Sequence, residues 1–328
     1  MRAIIPERYG RGVLRALVVS NMLPDAAHPE RGRFVRDQVA ALRKLDEIDV
    51  ELYQFPPGAQ ALASAPFELR RRFNERFDVV HAHFGLSAWP ALAVRARVRA
   101  LTVHGTDVSH PRTRIATAAV LPLIDLLATV SAPLMQELPG RAARRRAQVL
   151  PCGADLERFH PITRTHARAE LGLDPEQPYL LFPADPARTE KRHDRAVALA
   201  QAAGVQLLTL GHVEPERVPL WVNAASAVLV PSEREGFGLA VIEALACDVP
   251  VLATPVGIHP DALADVPGTL CAPFDLARWR TALEPHLREP DPRVAGRTSA
   301  SRFSAAEMAA RVAGAWRQAL ARSGQRSG

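Results

Sequence analysis

The chain has 328 residues, of which 48% are hydrophobic and 23% are charged. This length favours two domains over one, and this composition is typical of a globular protein and excludes a disordered one. The net charge of +6 is concentrated in residues 1–164, which hold 24 Lys and Arg against 16 Asp and Glu, whereas the remainder holds 17 against 19.

The basic surplus of the first half occurs in short clusters, such as Arg70-Arg71-Arg72 and Arg144-Arg145-Arg146. It fits a solvated face, a nucleic-acid footprint or a weak attraction to an anionic membrane surface. The sequence has no recognition helix, aromatic stacking platform or zinc knuckle, so no nucleic-acid partner is expected. The charges alone do not decide between the other two interpretations.

The cysteine pattern and the hydropathy argue against several further classes of protein. The three cysteines are far apart and have no paired spacing, which is against a disulfide framework or a zinc site. No apolar run approaches the ~20 residues of a membrane-spanning helix. His81 and His83 face the same way on a strand, but no third metal ligand accompanies them, so we expect no bound metal. The expected location is the cytoplasm, with peripheral contact at the inner face of the membrane as an option.

Short apolar segments alternate with segments of helical period along the whole chain. This alternation predicts parallel sheets covered by helices on both faces, which is an α/β fold of the doubly wound, Rossmann-like type. The helical segments include Phe34–Leu45, Leu86–Arg97, Arg192–Ala203 and Leu239–Ala246. The predicted strands are Leu14–Ser20, Val50–Phe55, Val79–His83, Leu101–His104, Leu126–Val130, Val149–Pro151, Tyr179–Phe182, Val205–Leu210, Ala227–Val230 and Val249–Thr254.

The alternation is interrupted once, by the polar, proline-punctuated segment 153–178. We therefore predict two Rossmann-like domains, 1–156 and 157–328, that face each other across a cleft. Ligands of doubly wound sheets bind outside the carboxyl ends of the strands, so the cleft is the expected site. The last helix, at about 304–322, is a candidate to pack back toward the first domain.

The segment 233–257, EREGFGLAVIEALACDVPVLATPVG, carries the most specific chemistry. Its glycines 236 and 238 start like a dinucleotide fingerprint, but Val241 stands where the third glycine belongs. A glycine loop that opens onto a helix offers free N–H groups and the positive end of the helix dipole to a diphosphate. Glu235 before the helix and Glu243 inside it can each accept hydrogen bonds from vicinal hydroxyls. A diphosphate between two polyols describes a nucleotide sugar.

This segment resembles the donor-binding region of the family 4 retaining glycosyltransferases, whose hallmark is two glutamates separated by seven residues. The segments FDVVHAHFGLSAWPAL at 77, TVHGTDV at 102, TVSAPL at 129 and LPCGADLERFHP at 150 occur in order at similar spacing. The loop at 21, NMLPDAAHPERGRFVRDQVAAL, looks like that of bacterial members acting on cell-envelope or exopolysaccharide precursors. The resemblance implies the two-domain GT-B architecture.

The resemblance also implies roles for individual residues. Glu243 should hold the nucleotide ribose and Glu235 the hydroxyls of the donor sugar, while His104 should lie across the cleft near the donor sugar and the acceptor. Gly32 takes the place of the family's first glycine-rich loop over the phosphates. The remaining positions implied to contact the donor are the backbone at Phe237, Gly238 and Leu239, and Gly211 with its neighbours His212 and Val213 near the base.

The chain departs from the family pattern in its cationic clamp on the diphosphate. The family usually places an arginine after the first strand of the second domain and a lysine five or six residues later. Lys191 is kept, but Asp185 or Pro186 takes the arginine's place. We expect Arg188 to supply the second charge, with Arg192 or Arg33 as substitutes.

The resemblance implies transfer of a sugar from a nucleotide-sugar donor to a saccharide, lipid-linked or small-molecule acceptor, with retention of configuration and no metal or other cofactor. The expected catalytic residues are His104, Glu235, Arg188 and Lys191. A sugar-nucleotide epimerase and a non-catalytic sugar-nucleotide-binding protein are alternatives with the same architecture.

Overall fold

The computed structural model describes residues 12–26, 28–211 and 213–325, which contain two parallel β-sheets. The first sheet has six strands in the order β2-β1-β3-β4-β5-β6, and the second has five in the order β11-β10-β9-β7-β8. The strands are β1 (Leu14–Ser20), β2 (Ile48–Gln54), β3 (Phe77–His83), β4 (Ala96–Val103), β5 (Leu126–Thr129), β6 (Gln148–Val149), β7 (Tyr179–Phe182), β8 (Gln206–Thr209), β9 (Ala227–Val230), β10 (Val251–Ala253) and β11 (Leu270–Cys271).

Helices cover both faces of each sheet, and two short 3₁₀ helices lie at Leu121–Leu123 and Thr189–Lys191. The α-helices are α1 (Arg33–Leu42), α2 (Ala59–Arg72), α3 (Gly85–Ala91), α4 (Thr106–Ser109), α5 (Pro111–Val120), α6 (Ala132–Glu137), α7 (Arg141–Arg146), α8 (Arg164–Leu171), α9 (His193–Ala203), α10 (Val218–Ala224), α11 (Leu239–Ala246), α12 (His259–Leu263), α13 (Leu276–Arg288), α14 (Arg297–Ser301) and α15 (Ala305–Gln325).

The predicted α/β class and the parallel sheets are confirmed. Each of the ten predicted strands has a counterpart, because apolar runs such as AVLV in β9 are buried on both faces of a sheet. The eleventh strand, β11, was not predicted, and it pairs with β10 at the edge of the second sheet. Strand pairing brings the ends of β1, β3 and β4 together, with Ser20 opposite His83 and His83 opposite Thr102.

The predicted helix from Leu86 to Arg97 is wrong in its second half. Helix α3 ends at Ala91, and β4 already begins at Ala96. The amides of Ala93 and Val94 bond to carbonyls three residues back, which tightens the chain into a turn. In β4 the side chains of Val98 and Ala100 alternate with more exposed neighbours, a period of two that favours a strand.

The polar segment 153–178 is packed more tightly than a linker. Its helix α8 carries Arg164, which is 2% exposed. The Arg164 guanidinium donates to the carbonyl oxygens of Ala225 at 2.7 Å and Pro290 at 3.1 Å. These bonds tie the segment to the second sheet's helices, and the predicted division at residues 156 and 157 stays a prediction.

The last helix, α15, leaves the second sheet and packs against the first. It contacts α1 and β4, and its Trp316 is fully buried. The chain therefore crosses between the halves twice, and the two crossings lie side by side: Ala154 N donates to Phe303 O at 2.9 Å and Ala305 N to Ala154 O at 2.8 Å. Within the described ranges, no helix combines the length and apolar character needed to span a bilayer.

Candidate active site

A cleft of about 280 Å³ lies between the two halves, at the carboxyl ends of both sheets. The first half lines it with side chains at the start of α1, and the second half with the loops after β7 and β8 and the start of α11. The charged lining residues are Glu30, Arg33, Asp37, Arg158, Asp185, Arg188, Lys191 and Glu243, and the apolar ones include Phe34, Val213 and Leu239.

Glu235 and Lys191 form a close ion pair beside this cleft. Lys191 Nζ lies 2.7 Å from both carboxylate oxygens of Glu235, and the Ser232 hydroxyl donates to Glu235 Oε1 at 2.8 Å. The two side chains are 8% and 16% exposed, respectively. Burial is the largest influence and acts to raise the pKa of Glu235, but the charge and hydrogen bond of Lys191, with smaller contributions from His259 and Ser232, together leave the pKa below its ordinary value. The carboxylate is therefore ionised and already oriented.

Glu243 lies in α11 and faces the cleft from a poorly solvated position. Burial raises the pKa of its carboxyl to about 7, and the negative charge of Asp37 adds to this effect, while the Arg158 and Arg33 charges oppose it. Unlike Glu235, it has no ion-pair partner among the described residues. A carboxylate in such a place is available to accept hydrogen bonds from a ligand that displaces water.

The glycine loop before α11 brings the two halves into contact. Gly238 precedes the helix with φ 107°, a conformation that favours glycine, and no side chain caps the helix start. A Cβ atom on Gly236 would overlap the carbonyl oxygen of His104, and the Ser131 hydroxyl donates to Gly236 O at 2.6 Å. The loop that holds His104 thus lies directly against the loop that follows Glu235.

Contacts within the first half hold His104 in place. The Asp107 carboxylate accepts the His104 backbone N–H at 3.1 Å and the Gly105 N–H at 2.8 Å. The imidazole packs against the rings of Phe34 and Phe84, at centroid distances of 4.8 and 4.7 Å. Burial lowers the pKa of His104 to about 3, so the ring is neutral at physiological pH.

Phe84, which follows β3, has a strained backbone. Its φ of 71° is uncommon for a non-glycine residue and costly for an aromatic one. Such strain persists where the surroundings impose it, often at functional sites. Here the conformation places the Phe84 ring against His104, a contact that the sequence pattern did not predict.

The two candidate cations of the clamp differ in their surroundings. Both line the cleft, but Lys191 is 16% exposed and pairs with Glu235, whereas the Arg188 side chain is 56% exposed and pairs with Glu190 at 2.7 Å. Arg33, at the start of α1, reaches the cleft from the opposite half and pairs with Asp37 at 3.0 Å and with Glu216 at 2.6 Å. Arg192 bonds Asp194 and Glu233 instead. Arg33 is therefore a less exposed candidate for the second charge than Arg188, and the expected role of Arg188 stays a prediction.

Two glycines predicted to contact the donor, Gly32 and Gly211, are closely packed against loops next to the cleft. Gly32 has φ 64°, and a Cβ there would overlap Met22 O. Gly211 lies beside Asp185 and Pro186, and its neighbour Val213 lines the cleft. His212 lies outside the described residues.

The backbone predicted to meet the donor before α11 is only partly at the cleft. The Phe237 side chain is buried, and its carbonyl accepts from Ile258 N at 2.8 Å, whereas Leu239 lines the cleft.

Sequence reasoning missed a charged network on the first-half side of the cleft. Asp37 pairs with Arg33 at 3.0 Å and with Arg158 at 3.1 Å, so α1 is tied to the segment after β6. The sequence drew attention to Arg33 and Arg158, since both fall inside segments that resemble the family. It could not predict that they share Asp37 as a partner, because Asp37 and Arg158 are 121 positions apart.

Comparisons with known proteins agree with this arrangement. The family model described as Glycosyltransferase Family 4 matches residues 11–158, and the one described as Glycosyl transferases group 1 matches residues 173–301. A D-inositol 3-phosphate glycosyltransferase of Nocardia farcinica is 30% identical, over 82% of this chain and 71% of the relative.

Solved structures show the same fold at low sequence identity. A sucrose-phosphate synthase of Thermosynechococcus elongatus is 20% identical with a TM-score of 0.69, covering 94% of this chain and 99% of that one. The Anabaena protein HepE, in complex with UDP and glucose, is 16% identical with a TM-score of 0.65, covering 92% and 98%. With its two facing parallel sheets and its matches in both halves, the chain belongs to the family 4 glycosyltransferases and has the GT-B architecture.

Proposed function

We propose that the protein transfers a sugar, with retention of configuration, from a nucleotide-sugar donor to a hydroxyl of a saccharide, lipid-linked or small-molecule acceptor. The observation that carries this proposal is the direct contact of the His104 loop with the Gly236 loop, next to the Glu235–Lys191 pair. This contact brings residues of both halves together beside the cleft that Lys191 lines. The structures of HepE with UDP and with UDP-glucose support a nucleotide-sugar donor.

The charges of the cleft fit the redistribution that such a transfer requires. The bond from sugar C1 to the phosphate oxygen breaks, leaving negative charge on the diphosphate and positive character on the sugar ring. Lys191, Arg33 or Arg188 and the start of α11 stabilise the diphosphate. The acceptor oxygen bonds to C1 on the same face, and its proton passes to the departing phosphate oxygen.

This course needs neither a metal nor a carboxylate nucleophile. Glu235 is engaged by Lys191 and Ser232, and Glu243 lies more than a turn into α11. The two-carboxylate scheme of glycoside hydrolases is therefore not required. In this proposal Glu235 orients the donor sugar, Glu243 binds the ribose and His104 contacts the sugar from the first half.

The donor is testable with a panel of free nucleotides and nucleotide sugars. UDP, GDP and ADP and their glucose, galactose, mannose and N-acetylglucosamine conjugates should be screened by thermal shift, because a ligand that binds only the folded state stabilises it. We expect one base to dominate. Product analysis then separates the alternatives: an epimerase releases an isomerised nucleotide sugar without an acceptor, and a binding protein gives no product.

We predict that Glu235→Ala preserves binding of the best nucleoside diphosphate but lowers turnover of its sugar conjugate. The carboxylate serves the sugar and not the nucleotide, and its loss frees the Lys191 ammonium for phosphate. The cost in the transition state should be about 1–3 kcal/mol. Calorimetry with the free nucleotide and steady-state kinetics measure the two effects, and Glu235→Gln is the control that keeps the shape. Equal weakening of nucleotide binding and turnover would contradict this division of roles.

We also propose that the first half makes weak contact with an anionic membrane surface. Arg70, Arg71 and Arg72 are exposed in the last turn of α2, and Phe67 of the same helix is 75% exposed. An exposed aromatic ring beside three cations suits a lipid–water interface. A lipid-linked acceptor would then meet the enzyme in the plane of the membrane.

Vesicle sedimentation tests this contact. The protein should bind vesicles containing phosphatidylserine at low salt, less at physiological salt, and not bind phosphatidylcholine vesicles. Replacing Arg70, Arg71 and Arg72 together by glutamine should reduce binding. The matched control replaces Arg278, Arg280 and Arg288, which are exposed on α13 of the second half and carry the same total charge. Equal losses in the two triple variants would mean that net charge alone, and not this helix, binds the lipid.

A further inference from the structure

Two buried histidines lie behind His104 on the neighbouring strand. His81 and His83 alternate with Ala82 in β3, so both side chains point to the face of the sheet that α15 covers. Trp316 of α15 donates its indole N–H to His81 Nδ1 at 3.1 Å, and His81 Nε2 lies 2.8 Å from Thr102 Oγ1. Since Trp316 can only donate, His81 carries its proton on Nε2 and donates it to Thr102.

His83 connects this anchored ring to His104. It is 1% exposed, so it cannot touch the contents of the cleft, and its ring stacks on His81 with a centroid distance of 4.8 Å. His83 Nδ1 lies 2.9 Å from His104 Nε2. The other ring nitrogen, His83 Nε2, is buried without a hydrogen-bond partner in the described chain, as is the hydroxyl of Ser20 on the neighbouring strand.

The proton between the two rings has a preferred place. If His104 donated it, His83 would carry its own proton on Nε2, where nothing accepts it, and a buried unpaired N–H is costly. With the proton on His83 Nδ1, the unpaired atom is only a lone pair. We propose that His83 is a positioning residue, which donates from Nδ1 to His104 Nε2 and thereby holds His104 in the tautomer with its proton on Nδ1.

This tautomer defines what His104 offers to a ligand. With Nε2 engaged, Nδ1 is the ring nitrogen that remains for substrate, and His104 is partly exposed, unlike His83. It presents an N–H, so it donates to a sugar oxygen and does not accept a proton from a hydroxyl. Burial lowers the pKa values of both histidines, which keeps the pair neutral. That His104 meets the sugar rests on the proposed function, whereas the tautomer does not.

The first test reads the tautomer in the ligand-free protein. Two-bond ¹⁵N–¹H correlation spectra of protein labelled with ¹⁵N-histidine distinguish protonated from unprotonated ring nitrogens, and His104→Gln identifies the His104 signals by their loss. We expect Nδ1 of His104 to be protonated and Nε2 to accept. A His104 ring protonated on Nε2, or on both nitrogens at pH 7, would overturn the proposal. This result is independent of whether the protein transfers sugar.

The second test separates hydrogen bonding from packing. His83→Phe keeps an aromatic ring on His81 but has no donor, whereas His83→Asn places an amide N–H near the position of Nδ1. We expect His83→Phe to lower kcat by about tenfold or more, without changing nucleotide affinity, and to lose the single His104 tautomer. His83→Asn should recover most of both properties. Full activity and an unchanged tautomer in His83→Phe would show that the ring only packs.

Discussion

Replacing Lys191 by methionine should lower the rate of sugar transfer by about 10²–10³-fold, because the departing diphosphate loses a largely buried cation that lines the cleft. The same change should destabilise the fold by about 3–5 kcal/mol, since it leaves the buried Glu235 carboxylate unpaired. Single-turnover kinetics and thermal unfolding measure the two effects. The two effects need separate measurements, because the same ammonium group stabilises the fold and the departing diphosphate.

A double variant and a neighbouring arginine serve as controls. Lys191→Met combined with Glu235→Gln removes the unpaired charge, so it should recover most of the stability and none of the rate. Arg188→Ala should cost much less than Lys191→Met, because the Arg188 side chain is exposed and already pairs with Glu190. A loss in Arg188→Ala as large as that in Lys191→Met would show that the loop after β7 rearranges around the donor.

Nucleotide affinity should rise with pH through about pH 7 if Glu243 binds the ribose. Burial raises the pKa of this carboxyl to about 7 in the free protein, and only the ionised form accepts from both ribose hydroxyls. Glu243→Ala should weaken binding of the free nucleoside diphosphate by about 1–3 kcal/mol at pH 8. Isothermal calorimetry between pH 6 and 8.5 measures both effects.

Glu243→Gln is the matched control, and we expect it to weaken nucleotide binding but to raise the stability of the fold. The folded-state pKa lies above the ordinary value of 4.5, so the folded protein loses stability as the pH rises from about 4.5 through 7. At pH 8 the glutamine variant should therefore be more stable by on the order of 2 kcal/mol, yet bind nucleotide more weakly. Its affinity should follow only the ionisation of the ligand. An unchanged affinity in a folded variant would refute the ribose role.

The local parts of the site were predictable from the sequence. The glycine loop, the helix Leu239–Ala246 and the strand Ala227–Val230 depend on neighbouring residues, and their bounds agree with the structure. The apolar period therefore predicts that Glu235 precedes α11 and that Glu243 lies within it. Between Leu86 and Arg97 the apolar spacing predicted a single helix, which is wrong. A short helix, a turn and the start of a strand can share similar apolar spacing over twelve residues.

The pairings between distant residues could not be predicted in the same way. Lys191 lies 44 positions from Glu235, and the sequence suggested two separate duties for them instead of one ion pair. Arg188 looked like the substitute for a missing arginine because it is near Lys191 in sequence, but its side chain turns toward Glu190. Arg33 comes from the other half of the molecule. The ion pairs of the site depend on how loops from different strands pack together, and a local sequence pattern does not predict that packing.

The paired crossings at Ala154 and Ser304 constrain how the protein moves. Two adjacent chain segments that are bonded to each other suit a hinge, so we expect the halves to swing apart about these segments in preference to sliding past one another. Opening would separate Arg33 from Glu216, which lie on opposite halves, and leave the Trp316–His81 bond intact. If substrates exchange by this motion, the hydrogen bonds that join Trp316, His81, His83 and His104 stay within one moving body, and the first half keeps its arrangement.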